Sequence, residues 1–208
     1  MKKYFTVLAL AMMASTAAFA GTTATNTNTV SPTLQISATI QSAVQLTLST
    51  GTSAAAAHCA VTTGTGTDYA MSFGTVDALA INSGACNKFA PTTPGTTNAI
   101  YWSDYNLTPV FTSQSASSNS SITAKVTTNF GATGDLTVVR DTANSSTLPA
   151  GVTSFTPVST GTPDTIASTV VSGTALTRFI GVSVSPTNAT GIPTTPQTAT
   201  VTFTLTVQ

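Results

Sequence analysis

The chain has 208 residues, of which six are Lys or Arg, six are Asp and none is Glu, so its formal net charge is zero. Beyond residue 20 only Lys88, Lys125, Arg140 and Arg178 are cationic; four scattered positive charges cannot displace the counterions of a nucleic acid, and that class of partner is excluded. Thr dominates, with Ser, Ala, Gly and Val behind it, and this scarcity of helix formers beside an abundance of β-branched residues points to an all-β protein.

Residues 1–20 read as a secretory signal. Lys2 and Lys3 give a positive start, Val7 to Ala14 form an apolar run too short to span a bilayer, and Ala18-Phe19-Ala20 is a small-x-small cleavage site. The expected mature chain begins at Gly21 and has 208 − 20 = 188 residues, enough for one β domain with a buried core. No later run approaches the roughly 18–20 continuous apolar residues of a membrane helix.

Residues 21–29 show no apolar period and read as a polar leader. From Val30 to Leu48 the chain then alternates: Leu34, Ile36, Ala38, Ile40, Val44, Leu46 and Leu48 fall on one face, and Gln35, Ser37, Thr39, Gln41, Gln45 and Thr47 on the other. A period of two makes this a β-ribbon with one apolar and one polar face. At about 3.3 Å per residue it would reach on the order of 60 Å, against roughly 17–20 Å for an ordinary strand. Part of it is therefore expected to lie outside its own domain, as an extension over residues 21–41. The simplest physical use of such an arm is to fill a groove in a neighbouring copy.

Thr50 to Ser53 ends the ribbon, and Ala54 to Ala57 has the composition of one helical turn. Tyr69, Met71 and Phe73 alternate into Phe73-Gly74-Thr75-Val76, a predicted short strand broken by a glycine. Ala90 to Asn98, with Pro91, Pro94 and Gly95, reads as an exposed loop. Ile100, Trp102 and Leu107 to Phe111 form the aromatic-rich core strand. Ile122, Ala124 and Val126 alternate with Thr123, Lys125 and Thr127. Strands are also predicted over Leu136–Arg140, Val152–Val158 and Phe179–Val184. Ala199, Val201, Phe203, Leu205 and Val207 then alternate with Thr and Gln to the last residue. Seven to nine short strands punctuated by Gly, Pro and Ser turns predict an Ig-like β-sandwich over residues 42–208.

Cys59 and Cys86 are the only cysteines. In an oxidising compartment a lone pair is expected to join, and a separation of 86 − 59 = 27 residues gives roughly 3–4 kcal/mol on chain-entropy grounds. His58 is the only histidine. Zinc needs about three or four protein ligands, which are not at hand, so His58 reads as a loop residue beside a disulfide. A Ser-His-Asp triad would have to use that same histidine, and no Gly-x-Ser-x-Gly elbow is present. No catalytic residue, metal site or cofactor is therefore expected. Tyr101, Trp102 and Tyr105 beside Asp104 could stack on a sugar if exposed, or fill the core.

The order of these features resembles the chaperone-usher pilins, and within them the spore-coat-U or archaic Csu-like fimbrial subunits. The residues that carry the resemblance are Leu34-Gln35-Ile36-Ser37-Ala38-Thr39-Ile40 for the extension, Phe73-Gly74-Thr75-Val76 for an early strand, Val138-Val139-Arg140-Asp141 in the middle and Ala199 to Val207 for the closing strand. The resemblance implies an incomplete sandwich whose groove is capped first by a periplasmic chaperone and then, at an outer-membrane usher, by the extension of the next identical subunit. Leu34, Ile36, Ala38 and Ile40 would then be the donated side chains, while Val44, Leu46 and Leu48 would open the subunit's own fold. Four such side chains at about 1.5–3 kcal/mol each come to on the order of 5–10 kcal/mol before ordering costs. The function so implied is a structural subunit of a bacterial surface pilus. The alternative is a monomeric secreted adhesin or carbohydrate-binding module.

Overall fold

The computed structural model describes residues 35, 37–38, 43–54, 56–63, 68–81, 86–112, 120–131, 135–187 and 195–207. The chain divides after Ile40 into two units, and the second, Gln41–Gln208, holds all the strands described. These are β1 (Val44–Thr50), β2 (Val61–Thr63), β3 (Tyr69–Met71), β4 (Asn87–Phe89), β5 (Ala99–Phe111) and β6 (Ser121–Thr128). They are followed by β7 (Leu136–Asp141), β8 (Phe155–Pro157), β9 (Asp164–Ser168), β10 (Leu176–Val184) and β11 (Thr200–Thr206). No α-helix occurs among the described residues.

The β-branched and aromatic content of residues 99–111 produces the longest strand, β5, around which the larger sheet is laid in the order β1-β5-β10-β7-β8, all antiparallel. Strand β4 pairs with Ile100 to Trp102 of β5, and β1 pairs with Tyr105 to Phe111. Because β10 occupies the other edge of β5, β1 and β4 lie end to end along one edge. A second sheet has the order β11-β6-β9, and β2 and β3 form a small hairpin.

The period of two sorts the side chains. Tyr105, Leu107 and Phe111 of β5 and Val138 of β7 meet Ile122, Ala124 and Val126 of β6 and Ile166 of β9 in one buried cluster between the sheets. Tyr105 packs on Phe203 of β11 with ring centroids 5.6 Å apart. The protein is thus an all-β sandwich. On the outer face of the larger sheet, Ile100, Trp102, Val139 and Phe179 form a further cluster covered by Phe89, Val152 and Phe155. Trp102 stacks on Phe89 at 5.5 Å and meets the edge of Phe179 at 5.7 Å. Gly181 is needed within β10, since a Cβ there would stand 2.5 Å from the Tyr101 carbonyl oxygen.

Two expectations are corrected. The strand predicted through Phe73-Gly74-Thr75-Val76 stops at Met71, because Gly74 takes φ 67°, which breaks extended backbone. Phe73 and Val76 instead pack from a loop onto Ala99, Tyr101 and Val182. The segment Val152–Val158 begins as a 3-10 turn over Val152–Ser154, and only Phe155–Pro157 is strand. Of the helical turn expected at Ala54–Ala57, Ala55 lies outside the described residues, and the Ala56 N–H donates to the Ser53 carbonyl at 3.3 Å in a single hydrogen-bonded turn.

The two sheets are also tied by charge. Arg140 Nε of β7 lies 3.2 Å from Asp164 Oδ2 of β9, and Arg178 Nε of β10 donates to the Ile166 carbonyl at 2.8 Å. Burial pushes the Asp164 carboxyl up, but Arg140 and the Ser159 N–H outweigh it and hold the group below the usual carboxylate range. A carboxyl so lowered in the folded state stabilises the protein above the unfolded value of about 4, and that stabilisation disappears as pH falls through the folded value. Asp164→Asn is therefore expected to lower the melting temperature at pH 7. The gap from wild type should close progressively below pH about 4, as followed by thermal melts across that range.

Candidate functional site

Two features of the fold are candidates for function: the open side of the core and a buried charge pair. The first arises where the sheets fail to close. Among the described residues, strand β1 pairs only with β5, and β11 only with β6. The facing edges of β1 and β11 come within 8 Å, Cα to Cα, without forming a ladder. Along β11 the alternation is regular: Val201, Phe203 and Leu205, with Val207 beyond, turn inward against the core cluster while Thr200, Thr202, Thr204 and Thr206 face solvent. Yet none of these inward side chains is fully buried, in contrast to Ile122 on the neighbouring β6, which is 0% exposed. Leu46 and Leu48 of β1 behave likewise. Among the described residues, the core is therefore left half-covered along the line between β1 and β11, where the two facing strand edges join no ladder.

Val44, Leu46 and Leu48 do open the first strand of the sandwich, as the sequence suggests. Of the four donor residues, Leu34, Ile36 and Ile40 lie outside the described residues. Ala38 is exposed and belongs to no strand.

The second feature surrounds Asp104, in the middle of β5 and 0% exposed. Its Oδ1 lies 2.6 Å from His58 Nδ1, and its Oδ2 accepts the Ser53 N–H at 2.9 Å. The Cys59 N–H donates to Ser103 Oγ at 2.9 Å. Cys59 and Cys86 form the expected disulfide, with Cα atoms 5.2 Å apart, within the ordinary range for a bridge. Residues 51–59 are thus drawn across β5 by one carboxyl group and one serine. A Cβ at Gly51 would overlap the Asp104 carboxyl, so only glycine fits where the chain leaves β1. Sequence reasoning placed His58 in a loop beside the disulfide but did not give it a partner. The available signal was Asp104 itself, a charge inside the most apolar strand and so in need of one.

Tyr101, Trp102 and Tyr105 are each at most 5% exposed and fill the core rather than offering a stacking platform. Burial and the lack of solvent push the Tyr105 hydroxyl well above its ordinary range. Among the described residues no group of three His, Cys, Asp or Glu side chains is close enough to hold a metal ion. The His58–Asp104 pair has the contact of a base and its orienting acid, but a nucleophile within reach would be needed for chemistry, and among the described residues no hydrogen bond joins His58 to a hydroxyl or thiol.

Comparison of the chain with protein-family models, with curated proteins and with solved structures finds no match.

Proposed function

We propose that the chain is the structural subunit of a secreted bacterial surface pilus or fibre that polymerises by donor-strand exchange, with no catalysis and no cofactor. The observation that carries this reading is the half-buried apolar ladder Val201, Phe203, Leu205 and Val207 beside the edge of β1 that no other described strand pairs with. With neighbouring strands about 4.7–4.9 Å apart, a strand laid there needs these edges to part from within 8 Å to roughly 10 Å, after which it would dry the core and pair with both. The alternating segment Leu34 to Ile40 of an identical subunit has the right period and the right side chains to do it. The signal-like residues 1–20, a periplasmic chaperone that covers the slot before assembly and an outer-membrane usher complete the proposal, which places the product at the cell surface.

Deleting Gly21 to Ile40 tests it. The truncated chain is expected to fold and stay monomeric on size exclusion, with no filaments in electron micrographs. A synthetic peptide spanning Pro32 to Gln41 should then raise its stability by about 2.7 kcal/mol at one hundred times its Kd. A truncated chain that still polymerises, or one that loses its fold because the arm belonged to its own sheets, would favour the monomeric adhesin.

A further inference from the structure

Independently of strand donation, we infer that the chain carries a binding site for a soft monovalent metal ion of the copper(I) kind, with His58 Nε2 and Met71 Sδ as its ligands. Beyond residue 20 the sequence holds a single histidine and a single methionine, 71 − 58 = 13 residues apart. The fold brings both to one cavity of about 360 Å³. It lies against the β2–β3 hairpin, in which Val61 pairs with Met71, while His58 and Cys59 arrive just ahead of β2. Met71 is half-buried there. Thr62 and Ser72 add hydroxyls to the lining, and among the described residues that form it none is Asp, Glu, Lys or Arg.

The imidazole is already arranged as a ligand. Asp104 Oδ1 lies 2.6 Å from His58 Nδ1, and Oδ2 accepts the Ser53 N–H. A carboxylate only accepts, so Nδ1 carries the ring proton and the Nε2 lone pair is left for another partner. Among the described residues no hydrogen bond reaches Nε2, and the side chain is 32% exposed. Metal-bound histidines commonly give their other N–H to a carboxylate in this way. The second donor selects the ion, because a thioether is soft and favours copper(I). Calcium needs about six to eight oxygen ligands and structural zinc about four, and the cavity provides neither set. Charge points the same way. The buried Asp104 carboxylate touches the ring, so one positive charge on its far side is matched, whereas a divalent ion would leave an excess in a half-buried place. Both cysteines are bridged, and no thiolate competes for the ion.

The test offers copper(I), kept reduced by ascorbate, to the full chain in competition with the coloured chelator bicinchoninate. Wild type is expected to withdraw copper from the chelator, and zinc offered to the same chain should bind far more weakly. Met71→Leu keeps the apolar volume and the fold but removes the sulfur. It is expected to lose roughly 100-fold or more in copper(I) affinity, since even the outer-shell partners of metal ligands carry about 10–100-fold. Met1, Met12 and Met13 are common to both chains, so the loss measures Met71 alone. His58→Ala should lose as much; because that change also weakens the fold, Met71→Leu is the deciding comparison. X-ray absorption of the copper-loaded wild type should show a sulfur neighbour that the Met71→Leu protein lacks. A wild type that takes no copper, a Met71→Leu chain that binds as wild type does, or zinc held as tightly as copper(I) overturns the site. Strand donation is read separately, by filaments in electron micrographs, and none of these outcomes touches it.

Discussion

His58→Ala is expected to destabilise the protein by about 3–5 kcal/mol, because it leaves the fully buried Asp104 carboxyl with only the Ser53 N–H. Removing the acid should do less harm: Asp104→Asn keeps an acceptor for Ser53 and is expected to cost about 1–2 kcal/mol, since His58 can turn to water. The order of the two effects is the informative part, as a surface ion pair would give equal losses below about 1 kcal/mol. The double variant should cost less than the sum, with a coupling of about 0.5–3 kcal/mol. Gly51→Ala is expected to be damaging beside Asp104 and milder beside Asp104→Ala, which removes the group its methyl would strike. Urea unfolding at pH 7 measures all of these. A His58→Ala protein within about 0.5 kcal/mol of wild type would show that the pair does not hold the 51–59 segment.

The second large effect concerns the arm. Ile36→Asp places a charge on the apolar face of the proposed donor strand and is expected to abolish filaments, because a desolvated, unpaired carboxylate costs several kcal/mol against a joint worth about 5–10. Ser37→Asp lies on the polar face and should assemble as wild type does. Both variants should fold as monomers with unchanged melting temperatures, since the described strands of the sandwich begin at Val44. Turbidity and electron microscopy of the purified chains read the outcome. Equal assembly of the two would mean that the faces of the arm are assigned wrongly.

Much of the sandwich could be read in advance because its strands obey a local rule. Ile122, Ala124 and Val126 alternate with polar residues and are buried at 5% exposure or less, and Val201 to Leu205 alternate and become β11. Wherever one face of a strand is dry and the other wet, the pattern is written into neighbouring residues. Strands β4 and β9 were not legible. Three residues, Asn87-Lys88-Phe89, hold too little pattern, and Asp164 to Ser168 buries Ile166 and Ala167 side by side, so its apolar residues do not alternate. The Phe73-Gly74 strand failed for the opposite reason, a local alternation overridden by one left-handed glycine.

Composition and periodicity alone therefore settled that the protein is all-β, that residues 44–50 and 200–206 are amphipathic strands, and that an aromatic-rich segment near residues 100–111 is core, since each of these depends on side chains a few positions apart. The disulfide followed from there being two cysteines and from the oxidising compartment that residues 1–20 led us to expect. Long-range pairing decided what no short window contains: that β1 and β11, 150 residues apart, come to face each other along one half-buried seam, and that His58 comes to Asp104 across a separation of 46 residues. Such contacts depend on which strand edges meet once the sheets stack, and a linear pattern carries no information about its distant neighbour.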